Sequence, residues 1–172
     1  SMRHTRRTLG KIVVASLPVP SLFGAGSKFG GVQIGINAPY SFRGLPSTAD
    51  DNLRYLTKLG LSAVELRSQP IEASFGAPIP AGGGPRRNAT PEQLEAARAS
   101  SEALEKWRLA APVDQFKSFR KKWNDAGVDI QIVKFDGVDR MKDEVVDYAF
   151  GLAKAVGARA VSCEIPVSRT KW

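Results

Sequence analysis

Apolar residues at 32, 34 and 36 alternate with small or polar ones through Gly31-Val32-Gln33-Ile34-Gly35-Ile36-Asn37, and this period of two predicts a strand. After a loop carrying Pro39, Gly44 and Pro46, the period changes. Thr48 offers an N-cap with Asp51 three residues on. Leu53, Leu56 and Leu59 then form a stripe that Gly60 ends, which predicts a helix. Ala63-Val64-Glu65-Leu66-Arg67 reads as a second strand. Residues 69–90, with Pro70, Pro78, Pro80 and Gly82-Gly83-Gly84-Pro85, read as a long loop. Thr90-Pro91-Glu92-Gln93 opens an extra helix to about Leu109, with proline at the first helical position and glutamine placed for a capping box.

The alternation then resumes. Val113–Ala126 is predicted helical with Phe116, Phe119 and Trp123 on one buried stripe. Asp129–Phe135 is predicted as a strand. Asp143–Val156 should be a helix with Val145, Ala149, Leu152 and Val156 inward, and Ala160–Ile165 a last strand. Strands alternating with helices call for a parallel sheet covered by helices, joined by right-handed crossovers. The segment 69–111 follows a strand. It is either an insertion capped by a helix or part of the face where a barrel would carry its active site.

Length and charge refine this picture. The chain has 172 residues, 42% of them hydrophobic and 24% charged, an ordinary globular composition. A complete eight-stranded βα barrel takes about 250 residues, so four βα units amount to about half of one. The outer strands of such a half would have unpaired edges, and the face turned to the missing half is expected to expose apolar side chains; self-association through these edges is expected. The formal charge of +8 suggests nucleic acid, but Arg3, Arg6, Arg7 and Lys11 supply half of it before the first acid, Asp50. The run Arg120-Lys121-Lys122 lacks interleaved aromatics and reads as a solvated helix face; no nucleic-acid partner is expected. Cys163 is the single cysteine and His4 the single histidine, so neither an internal disulfide nor a cysteine-based zinc site can form.

Residues 1–26 read as a signal peptide: Arg6-Arg7 with Leu9 and Lys11, a short apolar stretch from Ile12 to Phe23, then small residues. The paired arginines fit twin-arginine export, which implies a periplasmic or exported protein. Pro18 and Pro20 interrupt the apolar stretch, which is too short to span a bilayer, so no stable membrane span is expected.

The segments Gly31–Asn37, Lys58-Leu59-Gly60 and Ala63–Leu66 together resemble the opening of xylose-isomerase-like TIM-barrel proteins. Trp123–Val128 and Ala155–Arg159 are similar to that family's entries to strands three and four, and the likeness runs over about residues 31–166. The resemblance implies an incomplete (β/α)8 TIM barrel, about four βα units, over residues 27–172. It also implies a sugar or sugar phosphate isomerase/epimerase that moves a proton beside a carbonyl, with carboxylates as acid and base and a divalent metal cation stabilising an enediolate. The family's metal ligands lie on strands of the second half. No metal-binding residue carries over, and no cofactor is expected in these residues. A fragment of this kind is expected to be inactive alone; a non-catalytic exported carbohydrate-binding domain is the alternative.

Strand ends supply the site candidates, since C-terminal ends of barrel strands face the substrate. Glu164 and Glu65 are the catalytic candidates, Asn37 and Lys134 the substrate-binding ones. Glu164 lies beside Ile165-Pro166 and could instead pair with Arg67 or Lys134. Glu65, in mid-strand, could equally serve as a structural ion pair within a barrel. Gln33 should lie below the pocket.

Overall fold

The computed structural model describes residues 26–80 and 88–165. The expected signal peptide falls on residues outside the described ones, apart from Gly26. Among the described residues six strands and five α-helices follow one another: β1 (Lys28–Phe29), β2 (Val32–Gln33), β3 (Ile36–Ala38), α1 (Ala49–Lys58), β4 (Ala63–Arg67), α2 (Ser68–Ala73), α3 (Pro91–Ala110), α4 (Phe116–Asp125), β5 (Asp129–Lys134), α5 (Asp143–Val156) and β6 (Ala160–Ser162). The sheet has four strands in the order β3-β4-β5-β6, all parallel. Among the described residues no helix is long and apolar enough to cross a membrane.

The first predicted strand is divided. Gly30 and Gly31 both take positive φ, +55° and +83°, and turn β1 back on β2 as a tight antiparallel hairpin. Only Ile36–Ala38 enters the main sheet. Between them Gly35 passes so close to β4 that a Cβ would stand 2.6 Å from the Ala63 carbonyl oxygen. The hairpin is fastened there by Ser27, whose backbone N–H donates to Ser62 Oγ at 2.7 Å, and by Gln33 Nε2, which donates to Ser62 Oγ at 3.2 Å. Gln33 thus lies at the N-terminal end of the sheet.

Helix ends follow the local chemistry. Thr48 Oγ1 accepts the Asp51 N–H at 3.1 Å, and Asp50 and Asp51 sit in the positive first turn of α1. At α3 the capping box is complete: Gln93 N donates to Thr90 Oγ1 and Thr90 N to Gln93 Oε1. The predicted loop from residue 69 is corrected at its start, because Ser68–Ala73 is helical. Pro70 is tolerated because it stands in the first turn, where a backbone N–H has no helical acceptor. The helix predicted from Val113 begins with a 3-10 turn and becomes α-helical at Phe116, and the last strand stops at Ser162 rather than Ile165.

One apolar core holds these elements. Leu53 and Leu56 of α1, Phe116, Phe119 and Trp123 of α4, and Ala149, Leu152 and Val156 of α5 pack with Val64, Leu66, Ile130 and Val133 from the sheet. Each fully buried side chain of this size contributes roughly 1.5–3 kcal/mol. All three helices therefore cover the same sheet face. The other face carries Asn37, Glu65, Arg67, Ile132, Lys134 and Ser162, by the alternation and by the register Asn37↔Glu65↔Ile132 and Arg67↔Lys134↔Ser162. The uncovered face is thus mainly polar, not apolar as expected. Strand alternation separates Val64 and Leu66 from Glu65 and Arg67, so one strand supplies both surfaces. Gln131 is the extra residue at a register shift between β4 and β5, which restores this alternation beyond it.

Two glycine substitutions should behave oppositely in thermal unfolding. Gly35→Ala forces backbone apart at the β4 contact and is expected to destabilise by about 1–3 kcal/mol. Gly151→Ala, inside α5, places its Cβ at an ordinary 3.5 Å from Val113 and should be neutral or stabilising by up to about 1 kcal/mol. A Gly35→Ala protein melting like wild type would contradict the close approach.

Candidate functional site

The polar face is tied together across all four strands. On β4 the Glu65 carboxylate accepts Asn37 Nδ2 from β3 at 3.1 Å, and its other oxygen accepts the Ser162 hydroxyl from β6. Glu65 thus reaches past β5, over the partly buried Ile132. Both carboxylate oxygens are occupied by neutral donors. The structural alternative noted for Glu65 takes the form of a hydrogen-bonded bridge rather than an ion pair.

One layer nearer the C-terminal ends stand two ion pairs. Lys134 Nζ lies 2.5 Å from Glu164 Oε1, and Arg67 pairs with Asp136 just after β5. Gln69 Nε2, at the start of α2, also donates to Asp136 Oδ2 at 3.2 Å. The hydrogen bond to Glu164, and then the nearby charges of Glu164 and Asp136, raise the Lys134 pKa above the ordinary lysine range against burial and the repulsion of Arg67. Lys134 is therefore a fixed cation near neutrality, suited to holding an oxygen of a ligand and not to acting as a base. Its side chain is 15% exposed and that of Glu164 84%, so solvent weakens the pair.

Beside these pairs a cleft of about 1840 Å³ opens between the sheet rim and the insertion. Arg67, Gln69, Asp136 and Arg140 line its floor, and Ala97, Ser101 and Leu104 of α3 form a wall. None of the four sequence-predicted residues lines this cleft; they lie on the sheet face next to it. The wall is held by a buried network. Arg108 of α3 donates through Nε and an Nη to both oxygens of Glu72 on α2, at 2.7 and 3.0 Å, and Tyr148 Oη of α5 donates to Glu72 at 3.2 Å. Glu72 is fully buried and Arg108 is 9% exposed. Arg108 is the one residue of α3 classed as buried, and with Trp107, which packs partly buried against the core, it anchors the helix.

The structure brings Asn37 and Glu65 into direct contact, and likewise Lys134 and Glu164. Sequence reasoning missed Ser162, Gln69 and Asp136, and treated Arg67 only as a partner for Glu164. Ser162 was recoverable from alternation along its strand. Asp136 was not, because it lies beyond a strand end where periodicity gives no direction. Among the described residues no group of three or more His, Cys, Asp or Glu side chains converges to hold a metal ion. The residues described do not by themselves fit the divalent cation that the resemblance implies. Comparison of the sequence with protein-family profiles and with curated proteins gives no match.

The buried network makes two predictions. Glu72→Met should cost about 3–5 kcal/mol in denaturant unfolding by leaving Arg108 buried and unpaired, whereas Glu72→Met with Arg108→Met should regain most of the loss; a mild single mutant would show the pair to be unimportant. Burial first, then the Glu72 charge, push the Tyr148 hydroxyl well above the ordinary tyrosine range, against the pull of Arg108. Because the fold holds this proton more tightly than the unfolded chain, the contribution is complete below about pH 10 and is lost as pH rises beyond it. Ultraviolet titration should show one tyrosine that ionises only as the protein unfolds, a lag that Tyr148→Phe removes.

Proposed function

We propose that these residues form part of a xylose-isomerase-like (β/α)8 barrel and that the polar sheet face binds a small sugar or sugar phosphate. The carrying observation is the division of the sheet: helices on one face, and on the other a hydrogen-bonded polar layer from Asn37 to Ser162 topped by Lys134, Glu164, Arg67 and Asp136. Two features support a barrel. The strands are ordered as they occur in the chain, and α1, α4 and α5 share a single apolar cluster, whereas a doubly wound sheet reverses its order and is covered on both faces. The outer edges of β3 and β6 have no ladder partner among the described residues, and further parallel strands, or a second copy, would add there.

In this reading Lys134 holds a hydroxyl or phosphate oxygen, and Asn37 and Ser162 orient Glu65 beneath the ligand. Glu164, exposed and lying beyond the strand end, is the better placed of the two carboxylates to take or return a proton beside a carbonyl. An exported, non-catalytic carbohydrate-binding role is the second reading. It is favoured by Glu65 itself, whose two oxygens each accept a hydrogen bond from a neighbouring strand and which is thereby tied into the sheet.

Saturation-transfer NMR on the full chain with D-xylose, D-fructose and their phosphates tests the shared part of both readings. Transfer to sugar protons is expected, with affinity weakened roughly tenfold or more in Lys134→Met, the scale of losing one charge-assisted hydrogen bond. Absence of transfer from every sugar would remove both. Interconversion of an aldose and its ketose by the protein supplied with a divalent cation, abolished in Glu164→Gln, would decide for catalysis.

A further inference from the structure

Among the described residues seven charged side chains line the cleft beside the polar face, and six of them are matched by an opposite charge. Arg67 pairs with Asp136, Arg108 with Glu72, Lys122 with Asp50 and Glu105 with Lys142. Arg140 is the seventh, and no carboxylate among the described residues pairs with it. All 17 aspartates and glutamates of the chain lie within the described residues, so no acidic side chain elsewhere in the sequence supplies the missing partner.

Arg140 is exposed on the cleft floor, within reach of a ligand in the open space above it. Its position is nonetheless defined. The Arg140 backbone N–H donates to the Gly137 carbonyl at 2.9 Å, closing the turn after Asp136, and its guanidinium lies over Gly137, where a Cβ would stand 2.9 Å from an Nη. Gly137 has φ of +73°, so both the backbone and the arginine above it call for glycine there.

We infer that Arg140 is a specificity residue that receives a phosphate group of the ligand, so that the site takes a phosphorylated sugar in preference to a neutral one. A guanidinium offers two parallel N–H groups to two phosphate oxygens. A phosphomonoester carries about −1.5 to −2 charge near neutrality, whereas a carboxylate carries a single charge and gains little from an exposed cation. The nearby Asp136 carboxylate is already engaged by Arg67 and Gln69. Arg67 and Asp136 belong both to the cleft lining and to the rim of the polar face, so the two regions adjoin, and the sugar hydroxyls fall to Lys134. This inference rests on the sugar-binding reading and adds which class of sugar is taken, and by what.

Titration of the full chain followed by NMR compares D-fructose, D-fructuronate and D-fructose 6-phosphate, which differ only at C6. Wild type is expected to bind the phosphate about tenfold more tightly than D-fructose, the scale of one charge-assisted hydrogen bond. Arg140→Gln should bring these two affinities together by weakening the phosphate, while circular dichroism stays unchanged. Lys117→Gln removes a cation of α4 that lies outside the cleft and should keep the preference, which separates Arg140 from the net charge of +8. Three results overturn the assignment and leave the sugar-binding reading standing: no preference for the phosphate, a preference that survives Arg140→Gln or falls equally in Lys117→Gln, or D-fructuronate bound as tightly as the phosphate. Failure of wild type to bind any of the three compounds overturns both.

Discussion

The Glu65 carboxylate on β4 accepts from Asn37 on β3 and from Ser162 on β6, and so ties together the face of the sheet that no helix covers. Its neighbours in the same strand, Val64 and Leu66, point the other way into the apolar core and are almost wholly buried. A charged group in mid-strand is normally costly unless satisfied, and here two neutral donors satisfy it. Because Glu65 is held, the sheet can present an ordered polar surface instead of a second apolar one. Arg67, Lys134 and their acidic partners then stand on that surface at the strand ends.

The insertion depends on a different solution to the same problem. Helix α3 has only a weak apolar stripe and could not dock by hydrophobic burial alone. Its attachment includes the bidentate Arg108–Glu72 pair, with Tyr148 as a third member and the Phe135 ring 5.4 Å below the guanidinium, together with the Trp107 ring, which packs edge-on to Tyr148 against the core. A buried pair of this kind specifies one orientation more than it adds net stability. It sets where the helix stands, and hence the wall of the cleft. Most of α3 before Leu104 is exposed, so the wall is firm at its C-terminal end and freer towards Pro91.

The helices were legible because their causes are local. Thr48 and Thr90 caps, the Phe116-Phe119-Trp123 stripe and the Val145-Ala149-Leu152-Val156 stripe all lie within a few residues of one another, and burial follows them closely. The strands were less so. The alternation through residues 31–37 is real, yet the Gly30-Gly31 turn and the contact of Gly35 with Ala63 divide it between a hairpin and the sheet. The prolines from residue 70 onward suggest a loop over 69–90, yet Pro70 is compatible with the first turn of Ser68–Ala73, where its missing N–H costs nothing. Missing partner strands alone would predict an apolar open face, but Glu65, Arg67 and Lys134 alternate onto that face and make it polar.

By itself the sequence determined the alternation of strands and helices in the main sheet, its parallel sense, the identity of many core side chains and the presence of Asn37, Glu65 and Lys134 on strands. Those features depend on period and capping, which act over short stretches of chain. Only the tertiary structure decided that Asn37 and Ser162 both meet Glu65, that Arg67 chooses Asp136 over Glu164, and that Glu72 and Arg108 find each other across 36 residues. Pairings of that kind are set by strand register and helix packing, and no local pattern encodes which of several nearby charges ends closest.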